Sequence, residues 1–205
     1  MFRMIKIVFN AFIIVLAFIG FNAIGGQKYI EMAKNSIGSF WQAHKVETAR
    51  KIGDFSKINE EFQIDNTMVI AGYKAVIAEH GASGQKMVII DSGKKPLLTQ
   101  SEIKGNELDK KLKNLSEKMN YQGISVKDIN VTGRGNIEAF GQTVPYAKFE
   151  AHVSKLPFSD LSGMVSSVKT SDGNEKLALS LNEKKKYSQL ITNEFYKGVK
   201  ESAGK

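Results

Sequence analysis

TVPYAKFEAHVS, Thr143 to Ser154, alternates as a half-buried β-strand does. Ala147, Phe149, Ala151 and Val153 fall on one side, Tyr146, Lys148, Glu150 and His152 on the other. A strand with one polar side belongs to an antiparallel sheet with one wet face. Working outward, Ile124 to Thr132 and Asn136 to Phe140 read as two preceding strands, separated by Gly133-Arg134-Gly135 and closed by Gly141-Gln142. Downstream, Met164 to Thr170 and Lys176 to Leu181 flank Ser171-Asp172-Gly173-Asn174, whose Asp-Gly pair is a hairpin signal.

Earlier in the chain, Met68 to Glu79 and Lys86 to Asp91 carry β-branched residues on both faces, as central strands do, and Gly81-Ala82-Ser83-Gly84 reads as the hairpin between them. Helical spacing recurs three times. Ile103, Leu108, Leu112, Leu115 and Met119 mark a helix from Gln100 to Asn120, and Tyr187, Leu190, Ile191, Phe195 and Val199 mark one from Glu183 to Lys200. Ile30, Ala33, Ile37, Phe40 and Trp41, then Ala49, Ile52, Phe55, Ile58 and Phe62, predict an amphipathic helix to Phe62 that restarts at Gly53-Asp54 and folds onto the domain. The fold class is therefore α+β, an N-terminal transmembrane helix followed by a mainly antiparallel sheet with helices packed on one face.

The membrane assignment rests on residues 7–26, which carry no charge and are long enough at about 1.5 Å per residue to cross about 30 Å of hydrocarbon. A cleaved signal peptide is the competing reading, with Arg3 and Lys6 as its basic start and Ala23-Ile24-Gly25 as a small-residue cut site. The full length favours the anchor. Arg3, Lys6 and the amino group outweigh Lys28 and Lys34 and put the N-terminus in the cytoplasm and the domain outside it. The expected organisation is a basic cytoplasmic arm (1–6), an anchor or signal peptide (7–26), an amphipathic helical linker (27–62), the α+β domain (63–200) and a frayed tail (201–205).

Composition removes several chemistries. The 205 residues include no cysteine, which excludes disulfides, thiolate metal sites and thiol catalysis. His44, His80 and His152 share no ligand spacing and read as lone surface histidines. Gly133-Arg134-Gly135-Asn136 joins two expected strands, and Ser92-Gly93-Lys94-Lys95 lacks the upstream glycine of a P-loop, Val88 standing there. The same stretch matches S-x-x-K in spacing alone, and Gly81-Ala82-Ser83-Gly84 misses G-x-S-x-G by one residue. Glu60 and Glu61 diverge on the expected helix, and Glu79 and His80 point to opposite faces. No catalytic, cofactor-binding or metal-ligating residue is assigned.

Charge is the remaining signal, at a formal net of +8. Lys184, Lys185 and Lys186 open the expected last helix, where they oppose its dipole, and with Lys94 and Lys95 they are candidates for contact with an anionic lipid surface or an acidic partner. Basic and aromatic residues do not interleave as on a single-strand platform, so nucleic acid is a poor partner. These readings describe a membrane-tethered extracytoplasmic module that binds or assembles with another envelope component. The alternatives are an exported enzyme whose site is assembled from distant residues and a secreted or periplasmic binding protein released by signal cleavage.

Overall fold

The structure, a computed structural model, describes residues 45–70, 73–94, 96–108, 110–112, 120–121, 124–153 and 160–202. The anchor or signal segment at 7–26, the linker as far as 44, and His44 lie outside the described residues. In chain order the elements are α1 (45–52), β1 (Phe62–Ile70), β2 (Tyr73–His80), β3 (Lys86–Asp91), α2 (Gln100–Lys104), β4 (Asn120–Tyr121), β5 (Ile124–Ala139), β6 (Gln142–Val153), β7 (Asp160–Lys169), β8 (Glu175–Glu183) and α3 (Gln189–Gly198).

Seven long strands and the two-residue β4 form an antiparallel sheet ordered β1-β2-β3-β8-β7-β6-β5-β4. Two meanders, β1 to β3 and β5 to β8, meet where β3 pairs with β8, with Val88 opposite Leu179. The first meander starts with a hairpin that Met68 to Glu79 conceals. That run is two strands, Ile70 pairing with Tyr73.

Both faces of the sheet are covered across β2, β3, β7 and β8, which corrects the expectation of helices on one face, while Tyr146, Lys148, Glu150 and His152 keep one side of β6 partly exposed. Ala75, Ile77, Val88, Ile90, Leu177 and Leu179 pack against Ile103 of α2 and against Leu108 and Leu112. Their neighbours Val76, Ala78, Met87, Ile89 and Ala178 pack against Ala49 and Ile52 of α1 and Phe195, Tyr196 and Val199 of α3. Alternation persists in β2, β3 and β8, but each parity faces a helix layer, and each fully buried aliphatic side chain contributes about 1.5–3 kcal/mol.

Three other boundaries differ from the expectation. Residues 133–135 are no turn: β5 runs through them, pairing Arg134 with Ala147. Register shifts between Lys127 and Asn130 and between Val131 and Gly133 carry the strand, and after the second its odd-numbered residues change face. Ile129 thus joins the α2 side, whereas Ile137 joins the α1/α3 side. α2 stops at Gly105, with helical turns resuming at 107–108 and 110–112. α1 ends at residue 52 and does not restart, residues 56–61 being turns and bends that lead into β1. The linker's last turns thus belong to the domain.

The β5–β6 hairpin is a two-residue turn in which Phe140 (φ 54°) and Gly141 (φ 76°) are both left-handed, the pattern that matches strand twist. Glycine meets that demand freely and phenylalanine does not. Phe140 nonetheless sits there because its ring is buried beneath the Lys176 ammonium, 5.2 Å from Nζ to the ring centroid.

Candidate functional site

The structure does not gather the five lysines into one patch. Lys184, Lys185 and Lys186 occupy the turn after β8, and α3 begins beyond them at Gln189 with Ser188 as its N-cap, so they do not oppose a helix dipole. Lys184 meets Glu150 at 2.7 Å, a bond that raises the pKa of its ammonium, and Lys186 meets Glu183 at 2.8 Å. Lys185 is exposed. Lys94 is exposed beyond the other end of β3, where Asp91 pairs with Lys176, whereas the triplet lies beyond the end where Lys86 pairs with Leu181. At about 3.3 Å per residue, the strand between those pairs separates them by about 17 Å. Lys95 lies outside the described residues.

His80 is buried, not a surface residue, and it joins groups that the sequence left apart. The β1–β2 register places Phe62 opposite His80, which brings the preceding Glu61 to the imidazole. The β2–β3 turn closes with His80 N–H donating to Gln85 O at 2.9 Å and Gly84 N–H donating to His80 O at 2.8 Å, Gly84 having φ 67°. That turn folds Ser83 back onto the ring. Its main-chain N–H donates to His80 Nδ1 at 3.2 Å, which makes Nδ1 the acceptor. The Ser83 hydroxyl therefore donates to the same nitrogen at 2.9 Å, and Nε2–H donates to Glu61 Oε2 at 3.0 Å. The His80 side chain is 8% exposed and that of Glu61 58%.

The surroundings fix this arrangement. Phe62 presents an edge-on ring at 5.1 Å to the imidazole. Gln85 N–H donates to Ser83 Oγ at 3.2 Å, while the buried Gln85 amide donates to Ser188 O at 2.9 Å and Thr192 Oγ1 at 2.8 Å and accepts from Ser188 N–H. Asn182 donates to Ser83 O at 3.2 Å. The other face of the strand end is ionic: Lys86 is buried between Glu79 and Asp65. In chemical terms, Ser83, His80 and Glu61 form a hydroxyl, a base and a carboxylate in series. His152 is half-exposed and paired with Asp160 at 2.9 Å. Among the described residues, no group of three or more His, Asp or Glu is placed to hold a metal ion.

A second arrangement joins α1 to the sheet. Lys176 Nζ donates to Ile52 O at 2.5 Å, placing a cation on the last carbonyls of α1, where the helix dipole favours it. Burial lowers the Lys176 pKa, and Asp91, Asp172 and Glu201 oppose that shift. Asp54 and Lys200 exchange main-chain hydrogen bonds at 2.9 and 3.0 Å, and Ser202 Oγ donates to Arg50 O at 2.6 Å. Glu201 accepts from Gln142 at 2.9 Å and from the Ser171 N–H at 3.0 Å, so the expected frayed tail is pinned through residue 202.

In the sequence Ser83, His80 and Glu61 stand in separate segments with no motif joining them. The usable signal was a histidine three residues before a serine in a glycine-bracketed turn; the Glu61 contact depends on strand register. No protein-family model matches the chain, and no curated protein matches it.

Proposed function

We propose that the protein is a membrane-tethered extracytoplasmic module that binds or assembles with another envelope component. The apolar segment at 7–26 is its anchor and the sheet its outward domain. The observation that carries this reading is the union of α1 with the fold. Among the described residues the helix nearest the anchor in sequence is α1, which is buried through Ala49 and Ile52, capped by Lys176 and followed by Asp54, which is tied to Lys200. It is part of the domain, so the tether ends in a fixed joint.

The sheet supplies binding edges. Among the described residues, the outer side of β1 and that of β5 beyond the Asn120–Tyr121 pairing carry no strand neighbour. Such edges accept an extended segment through main-chain hydrogen bonds. The test is fractionation of cells expressing the full chain, followed by crosslinking and mass spectrometry. The proposal requires the protein in the alkali-resistant membrane fraction, Met1 or its neighbours retained, and crosslinks from residues 62–67 or 128–139 to another envelope protein. Uncut protein in the high-speed supernatant refutes it, and a mature N-terminus near Gly26 replaces the anchor with a cleaved signal.

A further inference from the structure

We infer that Ser83 is a nucleophile activated by His80 and Glu61, and that the β2–β3 hairpin takes an acyl ester. This inference stands apart from the tethering proposal. The Ser83 main-chain N–H already closes the turn on Nδ1. The hydroxyl donates to the same nitrogen, and the opposite nitrogen is given to a carboxylate from outside the turn. Serine, imidazole and carboxylate at 2.9 and 3.0 Å are the parts of a nucleophile, its base and the group that orients the base. The ring is inverted relative to the familiar triad, with Nδ1 as the base. Such a constellation is recognised by geometry and roles, not by position.

The chemistry balances within these residues, an ester and water. Ser83 Oγ attacks the carbonyl carbon and forms the new C–O bond as its proton passes to the Nδ1 lone pair, which the Ser83 main-chain N–H gives up in the same step. The bond to the alkoxy group breaks, and the proton on Nδ1 leaves with it as the alcohol. Water then attacks the acyl carbon and gives a proton to Nδ1, and the Ser83 oxygen departs and takes that proton. Glu61 orients the imidazole and stabilises the imidazolium. Ser83 is partly exposed, Gly81 and Ala82 beside it are exposed, and Gly81 and Gly84 offer no side chain to block the approach of a carbonyl. General-base assistance alone gives about 10²–10⁴-fold.

The test treats the full-length protein in detergent with a fluorophosphonate probe and, separately, with p-nitrophenyl acetate. Label is expected on Ser83 by peptide mass spectrometry, with p-nitrophenol released in a burst matching the protein concentration and no burst in Ser83→Ala. His80→Gln should slow labelling by about 100-fold or more with the circular-dichroism spectrum unchanged, and Glu61→Gln by about tenfold. Should His80→Gln unfold, Glu61→Gln decides, because the Glu61 side chain is mostly in solvent. Labelling of Ser83 no faster than of Ser171 or Ser202, or at the parent rate in Glu61→Gln, overturns the inference.

Discussion

Gly163 lies in the middle of the sheet, with Phe149 opposite it on β6 and Leu181 opposite it on β8. A Cβ added there would stand 2.6 Å from Phe149 Cζ and 2.8 Å from Leu181 Cδ2, and closer still to Ser180 O. The two side chains can turn away, but the carbonyl belongs to a central strand and moves only with its ladder. Overpacking costs about 1–3 kcal/mol where neighbours can give. With a main-chain atom in the way, Gly163→Ala belongs at the upper end, about 3 kcal/mol of a total of about 5–15. For a chain of this size that lowers the melting temperature by about 6–12 °C. Thermal and urea denaturation of the full chain in detergent measure it. Two comparisons sharpen the test. Gly133→Ala adds a Cβ 3.9 Å from Lys148 Cδ and should be neutral or stabilising by up to about 1 kcal/mol. Phe149→Leu placed on Gly163→Ala should recover part of the loss, the Ser180 contact remaining. A melting point of Gly163→Ala within about 2 °C of the parent would refute the close-approach reasoning.

Burial holds the Lys176 pKa below its ordinary 10.5, so between the folded and unfolded values the unfolded chain holds a proton that the folded one lacks. Stability should therefore rise with pH toward 10.5 and fall as pH drops through the folded value, and Lys176→Met should flatten that slope in chemical denaturation. Tyr196 behaves oppositely. Burial raises its pKa well above 10.0 while its hydroxyl bonds Val88 O at 3.0 Å, so its contribution is present below pH 10.0 and lost above it. Tyr196→Phe should remove this alkaline loss and cost about 1–3 kcal/mol at neutral pH. Ser171 lowers the Glu201 pKa, so that contribution holds above pH 4.5 and fades as acid protonates the folded carboxylate; Glu201→Gln should abolish the dependence. Replacing Lys184, Lys185 and Lys186 together by alanine should weaken binding of the domain to anionic vesicles, measured by co-sedimentation; unchanged binding dismisses the lipid contact.

Much of the sheet was legible because its punctuation is local. Asp172-Gly173 and the Gly81 to Gly84 segment announce their hairpins, and Leu177, Leu179 and Leu181 announce the buried side of β8. The break between β1 and β2 was hidden because Met68 to Ala78 carries Lys74 as its one charged residue and so reads as a single strand. Gly133 and Gly135 looked like a turn, yet they extend a bulged strand because β6 pairs along their whole length. The helix expected to reach Phe62 ends at residue 52, where the chain turns to bridge Lys200 through Asp54, and Gly53 fits that close packing: a Cβ there would lie 3.1 Å from Phe140 Cε1, 3.2 Å from Val199 Cγ1 and 3.3 Å from Lys200 O. Those neighbours come from distant parts of the chain. The candidate site failed to show for the same reason, since Glu61 reaches His80 through pairing of β1 with β2.

The joint at Arg50, Asp54 and Lys176 determines how the domain answers to tension. Arg50 is held by Ser202, Asp54 by Lys200, and the end of α1 by Lys176 on a central strand. A pull entering through residue 45 is shared among contacts to the C-terminal segment and β8, and must break them together before it reaches the hairpins. β1, an edge strand that would peel from β2 one rung at a time if loaded alone, is thus shielded from force arriving along the N-terminal segment.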